Sequence, residues 1–168
     1  NAKAAEIQKL DTHGLPEQLF LGALGMPGLT AYVGVKRIID LKPGETIFVS
    51  AASGAVGQMV CQIAKQIGAT VVGSAGGADK VAFLKEIGVD AAIDYKAAPD
   101  LTKALLAAAP KGIDAYFENV GGEHLEAAIT AAKTHARFAF CGMISGYNSI
   151  EANTAPKNLV QIVGKQLK

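Results

Sequence analysis

The stretch that decides the fold is IFVSAASGAVGQ, residues 47–58. It lies within Thr46–Ala64, 19 residues without a charged side chain, which is nominally long enough to cross a bilayer. Ser50, Gly54 and Gln58 interrupt the apolar character, however. The pattern therefore predicts a buried strand, a tight turn of small residues and a helix that follows at once, with no transmembrane segment.

The turn has the spacing of a phosphate-binding loop. Gly54 would let the backbone approach a diphosphate without an intervening Cβ, and Gly57 would let the helix pack close to the strand. Free N–H groups around Ala55 and Val56 would point at the phosphates. Ala52 stands where the GxGxxG pattern has its first glycine, so the loop taken alone is a weak signal. The candidate phosphate-binding residues are Ser53, Gly54, Ala55, Val56 and Gly57.

Short β-branched runs alternate with helical stretches along the chain, which is typical of βαβ units. Five strands are predicted: Thr46–Ser50, Thr70–Ser74, Ala91–Asp94, Ala115–Glu118 and Arg137–Cys141. A helix is predicted after the turn, with Gly68 just past its end and an apolar face made of Val56, Val60, Ile63, Ala64 and Ile67. Another is predicted to start at Pro27 and to carry an apolar stripe over Leu29–Ile39. Further helices are predicted near Asp79–Ile87, Asp100–Ala109 and Glu123–Lys133. Right-handed crossovers between such strands give an α/β fold with an open, doubly wound parallel sheet of the Rossmann type. The apolar run Leu159–Val163 is expected to leave an unpaired strand edge exposed to solvent.

The amino-acid composition of the chain argues against several classes of function. The 168 residues are 50% apolar, and 16 Lys and Arg side chains face 15 Asp and Glu, a net charge of +1. We expect one globular domain whose partners are neither nucleic acid nor membrane. The two cysteines stand far apart and no export signal is visible, so we expect a reducing, cytoplasmic location and no cysteine-based zinc site. The three histidines, His13, His124 and His135, are expected to be ordinary surface or capping residues.

The second strand predicts which cofactor the loop accepts. An Asp or Glu at its end would bind the ribose hydroxyls of NAD, but the sequence there is VVGSAGG, residues 71–77, with Ser74 at the strand end. Without that carboxylate a ribose 2′-phosphate would not be repelled, and Lys80 follows within reach of one. NADP(H) is therefore the expected cofactor.

Four segments together resemble a known family. They are Leu24–Tyr32, Ala51–Gly57, Phe117–Gly122 and Cys141–Asn148. In this order they are similar to the zinc-free medium-chain dehydrogenases/reductases. Within that superfamily, the most similar branch contains leukotriene B4 12-hydroxydehydrogenase, prostaglandin reductase and the curcumin-type or alkenal double-bond reductases.

The resemblance implies an NADPH-dependent reduction of the C=C bond of an α,β-unsaturated ketone or aldehyde. Lys80 and Tyr95 would bind the adenosine side with its 2′-phosphate. Tyr147 would be catalytic, donating a hydrogen bond near the carbonyl oxygen as an enolate forms. The other residues implied to line the groove are Asn119, Val120, Cys141, Gly142, Ile144 and Ser145. No metal is implied, since Met26 and Pro27 stand near the place where zinc-dependent relatives carry a cysteine ligand.

The resemblance also predicts the domain organisation. Residues 1–168 would form the dinucleotide-binding domain, with 1–45 as a leading segment and helix. The N-terminal GroES-like catalytic domain of the family would be absent, so the chain alone should be inactive, while the full-length protein would be a homodimer. Two alternatives stay open: a quinone oxidoreductase of the same superfamily, and a stand-alone nucleotide-binding module.

Overall fold

The computed structural model describes Lys3, residues 9–148 and residues 155–168. Five parallel strands form one sheet, in the order β3-β2-β1-β4-β5. The strands are β1 (Thr46–Val49), β2 (Thr70–Ala75), β3 (Ala91–Asp94), β4 (Ile113–Glu118) and β5 (Ala132–Phe140). The helices between them are α2 (Ala55–Ile67), α3 (Ala78–Glu86), α4 (Leu101–Ala108) and α5 (Gly122–Ala131). The predicted doubly wound fold is confirmed.

Alternate strand residues supply two separate cores, as expected for a sheet covered by helices on both faces. Ile47, Val49 and Phe117 pack on one face with the buried side of α2. Phe48 and Tyr116 lie on the other face, where α4 and α5 cover them.

Local signals explain most element boundaries. α2 ends where Gly68 takes a left-handed conformation with φ +88°, and the Asp100 carboxylate caps α4 by accepting a hydrogen bond from the Lys103 N–H at 2.9 Å. The predicted helix over Glu123–Lys133 is two residues too long. Lys133 belongs to β5, where its ammonium group bonds both oxygens of Asp114 on β4.

The helix before the sheet begins at the predicted proline. α1 spans Met26–Val33, with Pro27 in its first turn, and continues as a π-helical turn over Gly34–Ile39. The first turn thus lies where Pro27 indicates a helix start in the sequence. A Cβ on Gly34 would stand 2.3 Å from the Phe117 ring, so this helix packs directly onto β4.

The expectation of an exposed strand at Leu159–Val163 is wrong. Val160–Gly164 forms a helix, α6, and Lys165 donates its N–H to the Gln161 carbonyl at 2.8 Å. Ile162 packs against the core on the α5 side of the sheet. The segment therefore satisfies its backbone internally. Across the ranges that the structure describes, no helix is both long and apolar enough to span a membrane.

Candidate functional site

The turn between β1 and α2 is a tightly packed cradle. Ala51 has a positive φ of +47°, which is uncommon for a residue with a side chain. A Cβ on Gly57 would lie 2.3 Å from the Ala51 carbonyl oxygen and 2.8 Å from the Ala52 Cα, so only glycine fits there. A Cβ on Gly73 of β2 would stand 2.9 Å from the Ala52 Cβ. Ala52 can replace the usual first glycine because Gly73 leaves room for its methyl group.

This cradle presents unused hydrogen-bond donors. Gly54 caps α2 in an extended conformation, and its N–H already donates to the Ala51 carbonyl at 2.9 Å. In the described part of the chain, no acceptor bonds the N–H groups of Ala55, Val56 and Gly57. Three donors at the positive end of a helix form an anion-binding arrangement. They lie at the carboxyl end of β1, between β2 and β4, where the strand order reverses and α/β proteins bind ligands.

Ser74 lies near the end of β2, and the turn that follows leads to Lys80. Ser74 is buried, and its carbonyl accepts the Ala52 N–H at 2.9 Å, joining the two neighbouring turns. Lys80 is exposed in the first turn of α3. Among the described residues, no carboxylate forms an ion pair with Lys80, so its charge is available to a ligand.

Asp94 is a functional candidate that the sequence reasoning missed. It ends β3, and its Oδ1 atom accepts hydrogen bonds from the N–H groups of Gly77 and Lys96, both at 3.0 Å. The hydrogen bond from the Gly77 N–H is the main cause that keeps the pKa of this carboxyl below its usual value. The sequence pattern places the expected acidic residue at the end of β2, whereas this carboxylate belongs to the end of the adjacent strand, β3.

Tyr95 covers the same turn from outside. A Cβ on Gly76 would stand 2.9 Å from the Tyr95 hydroxyl oxygen, so the phenol lies directly over that glycine. The Tyr95 ring meets His124 edge-on, with 5.0 Å between the centroids. His124 was expected at the surface, and this is wrong: it is 5% exposed and stacks on Phe48. Burial lowers its pKa, against the opposing effect of Glu118.

The turn after β4 is fixed by Asn119. Its side-chain amide donates to the Ser50 carbonyl at 2.7 Å, and its backbone N–H donates to the Ser50 hydroxyl at 2.8 Å. Val120 follows, with its N–H bound to the buried Glu118 carboxylate at 2.7 Å. The sequence does not predict a role in the site for Ser50 or Glu118. No pattern in their residue type or position separates them from other residues at strand ends.

The segment after β5 folds back onto this turn. Cys141 and Gly142 donate their N–H groups to the Glu118 carbonyl, and Ile144 and Ser145 donate theirs to the Asn119 and Val120 carbonyls. The Cys141 thiol has a pKa raised by partial burial, so it is not an activated nucleophile.

Tyr147 completes the segment. It is 66% exposed, and its hydroxyl oxygen accepts the Met143 N–H at 3.0 Å. The phenolic proton is not used by that contact, so it can be donated to a ligand.

A crevice of about 610 Å³ brings several of these residues together. Tyr95, Val120, Ile144 and Ser145 line it, with Ala51 at the side of the cradle. Cys141 instead lines a separate apolar pocket of about 440 Å³ next to α1. Lys80, Gly142 and Tyr147 line neither cavity.

Within Lys3, 9–148 and 155–168, the structure assembles no group of three or more His, Cys, Asp or Glu side chains that could hold a metal ion.

Fold and site together define a doubly wound α/β domain with unused N–H donors at the start of α2, at the switch point of the sheet. The chain belongs to the zinc-binding dehydrogenase family, which it matches over residues 55–167. The predicted resemblance to medium-chain dehydrogenases/reductases, and to their double-bond reductase branch, is confirmed.

Individual relatives are consistent with this placement. The chain is 48% identical over 161 residues to a 2-alkenal reductase (NADP(+)-dependent) from Nicotiana tabacum, covering 95% of this chain and 47% of the relative. It is 56% identical over 134 residues to prostaglandin reductase 1 from Bos taurus, covering 80% of this chain and 41% of the relative. The crystal structure of CurA in complex with NADPH from Vibrio vulnificus superposes with a TM-score of 0.85 at 41% identity. The match covers 97% of this chain and 49% of the CurA chain. The chain thus spans less than half the length of each of these relatives.

Proposed function

We propose that residues 1–168 form the NADP(H)-binding domain of an oxidoreductase that reduces the C=C bond of α,β-unsaturated ketones or aldehydes. The observation that carries this proposal is the cradle at the switch point. There Gly57 is locked against Ala51, and three backbone N–H groups at the start of α2 have no partner within the described residues. A diphosphate supplies the negative charge and the acceptor oxygens that these donors lack.

Different residues around the cradle would bind different parts of the dinucleotide. Ser53, Gly54, Ala55, Val56 and Gly57 would hold the diphosphate, and Ser74, Lys80 and Tyr95 the adenosine with its 2′-phosphate. The unpaired charge of Lys80 supports NADP(H) over NAD(H). Asn119, Val120, Cys141, Gly142, Ile144 and Ser145 would line the rest of the groove.

Reduced nicotinamide, when bound, supplies a hydride for the β-carbon of the substrate. The chain's own contribution to the reaction would come from Tyr147, which would act as the catalytic residue. The hydroxyl oxygen of Tyr147 is held by the Met143 N–H, leaving its proton free for a hydrogen bond to a developing enolate oxygen. The tobacco and bovine relatives are both reductases, which supports this class of reaction.

Further proposals concern the full-length protein, of which residues 1–168 would be one domain. By resemblance, a GroES-like domain would supply the remainder of the substrate cleft, the complete protein would form a homodimer, and it would act without zinc. A cytoplasmic location is supported by the two cysteines, Cys61 and Cys141, which the fold keeps as free thiols. The isolated 168 residues would bind cofactor without turnover.

Titration of the chain with NADPH and with NADH tests the proposed cofactor. NADPH should bind at least about tenfold more tightly than NADH, since one charge-assisted contact to the 2′-phosphate contributes ~1.5–3 kcal/mol. Because the sequence contains no tryptophan, the change in nicotinamide fluorescence can be followed without indole emission. Failure to bind either dinucleotide would refute the proposal.

A second assay separates the double-bond reductase from a quinone oxidoreductase. A protein that contains this chain and has the full length of its relatives is given NADPH with either an enal such as nonenal or a simple quinone. The proposed function requires faster consumption of the enal and a loss of that activity in Tyr147→Phe. Faster quinone reduction that survives Tyr147→Phe would favour the alternative.

A further inference from the structure

Glu118 is a fully buried carboxylate at the end of β4, two residues before Val120, which lines the crevice. Its Oε1 atom accepts one hydrogen bond from the Ser50 hydroxyl at 2.9 Å and another from the Val120 N–H at 2.7 Å. Its Oε2 atom is buried without a partner, and within the ranges described no Lys, Arg or His forms an ion pair with it. Burying such a group is costly, so its two strong contacts must do something that an apolar side chain could not.

The first contact fastens two strand ends together. The Ser50 hydroxyl donates to Glu118 and accepts the Asn119 N–H at 2.8 Å, while the Asn119 side chain holds the Ser50 carbonyl at 2.7 Å. Ser50 directly precedes Ala51, whose positive φ starts the phosphate cradle. The orientation of the cradle is therefore tied to the end of β4 through the Glu118 carboxylate.

The second contact fixes the other wall of the crevice. With its N–H held by Glu118, Val120 presents its carbonyl to the Ser145 N–H at 3.0 Å. The Glu118 carbonyl accepts the N–H groups of Cys141 at 2.9 Å and Gly142 at 3.1 Å. The turn over residues 118–120 thus supports the loop after β5 on one side and the cradle on the other.

We propose that Glu118 is a positioning residue for the dinucleotide, an inference that rests on the function proposed above. It acts through Ser50 and Val120, without touching the ligand, and sets the spacing between the phosphate cradle and the loop at Cys141–Ser145. The property that matters is the double acceptor at Oε1. A glutamine oxygen can accept the same two hydrogen bonds, whereas an alanine accepts none.

Dissociation constants for NADPH test the proposal at a temperature where every variant is folded by circular dichroism. Glu118→Ala should weaken binding by about tenfold or more, because two hydrogen bonds that orient the crevice are lost, and Glu118→Gln should stay within about threefold of the wild type. Ser50→Ala should weaken binding in the same direction. Ser50→Ala combined with Glu118→Ala should weaken binding by less than the product of the two single effects, since both variants lose the same hydrogen bond between Ser50 and Glu118.

Leu105→Ala is the control for general loss of stability. Leu105 is fully buried on α4 and lines neither cavity, so its truncation should lower the thermal midpoint and leave NADPH affinity unchanged. An affinity loss in Leu105→Ala as large as that in Glu118→Ala would overturn the positioning role. So would a folded Glu118→Ala protein that binds NADPH like the wild type, or a Glu118→Gln protein as impaired as the alanine variant.

Amide NMR spectra of the free protein give a second readout that does not need ligand. Glu118→Ala should shift the N–H signals of Val120 and Ser145, whereas Leu105→Ala should leave them in place. Should Glu118→Ala fail to fold, the same shifts are expected in Ser50→Ala. A wild type that does not bind NADPH would refute the proposed function, while unshifted Val120 and Ser145 signals would refute the role of Glu118 separately.

Discussion

At the scale of single residues, cofactor choice depends on which charges near the β2–α3 turn are free. The Asp94 carboxylate is occupied by two backbone N–H groups, whereas Lys80 has no ion-pair partner within the described ranges. A ligand with an additional phosphate on its ribose would gain a charge-assisted contact with Lys80.

Lys80→Ala should therefore act on one cofactor only. We expect NADPH to bind roughly ten- to a hundredfold more weakly, the equivalent of ~1.5–3 kcal/mol, and NADH to bind almost as before. Lys85→Ala removes the same charge from the last turn of α3 and should change neither affinity. Equal losses for NADPH and NADH would show that Lys80 does not contact the 2′-phosphate.

The sequence predicts the roles of some single residues in the site and not of others. The glycines of the cradle could be predicted, because their spacing within a strand–turn–helix pattern has a physical meaning. Asp94, Ser50 and Glu118 could not, because their roles depend on contacts with residues that are distant along the chain. His124 was misplaced for the same reason, since only the fold brings Phe48 and Tyr95 against its ring.

At the scale of elements, the cradle depends on how closely α2 approaches β1. Periodicity predicted the buried stripe and the end of α2, because Gly68 follows the last apolar position. The end of the chain was predicted less well: five apolar residues fit a strand or a helix equally, and the choice of α6 reflects packing of Ile162 against the core.

Gly57→Ala tests the close approach of α2. The added methyl group would meet the Ala51 carbonyl and the Ala52 Cα, so the free energy of unfolding in urea should fall by about 1–3 kcal/mol. NADPH affinity should fall too, since the N–H donors move with the helix. Gly164→Ala in α6 is the matched control, because a Cβ there has no atom within 4 Å, and unaltered stability in Gly57→Ala would contradict this packing.

At the scale of the whole molecule, both cores are built around one sheet, so a buried titratable group affects global stability. Burial lowers the pKa of His124 below its ordinary value of 6.5, although the charges of Glu118 and Glu123 raise it. Above about pH 7 the imidazole is neutral in the folded and unfolded chains alike. As the pH falls through 6.5, the unfolded chain takes up this proton first, and unfolding becomes easier.

Urea unfolding at pH 8, 7, 6 and 5.5 should therefore show a free energy that declines toward acid. His124→Phe keeps an aromatic ring between Phe48 and Tyr95 and should flatten that decline. His135→Asn, an exposed position with φ +65° that asparagine accommodates, should retain it. A wild-type slope in His124→Phe would assign the pH dependence to other groups.

The hydrogen bond between Ser50 and the Asn119 N–H joins positions 69 residues apart in sequence. During synthesis, the crevice cannot exist until β4 and its turn have emerged and closed this long loop. A nucleotide that occupies it would accordingly brace the entire sheet against thermal or proteolytic opening, and no shorter peptide containing only the glycine turn should recognise the same ligand.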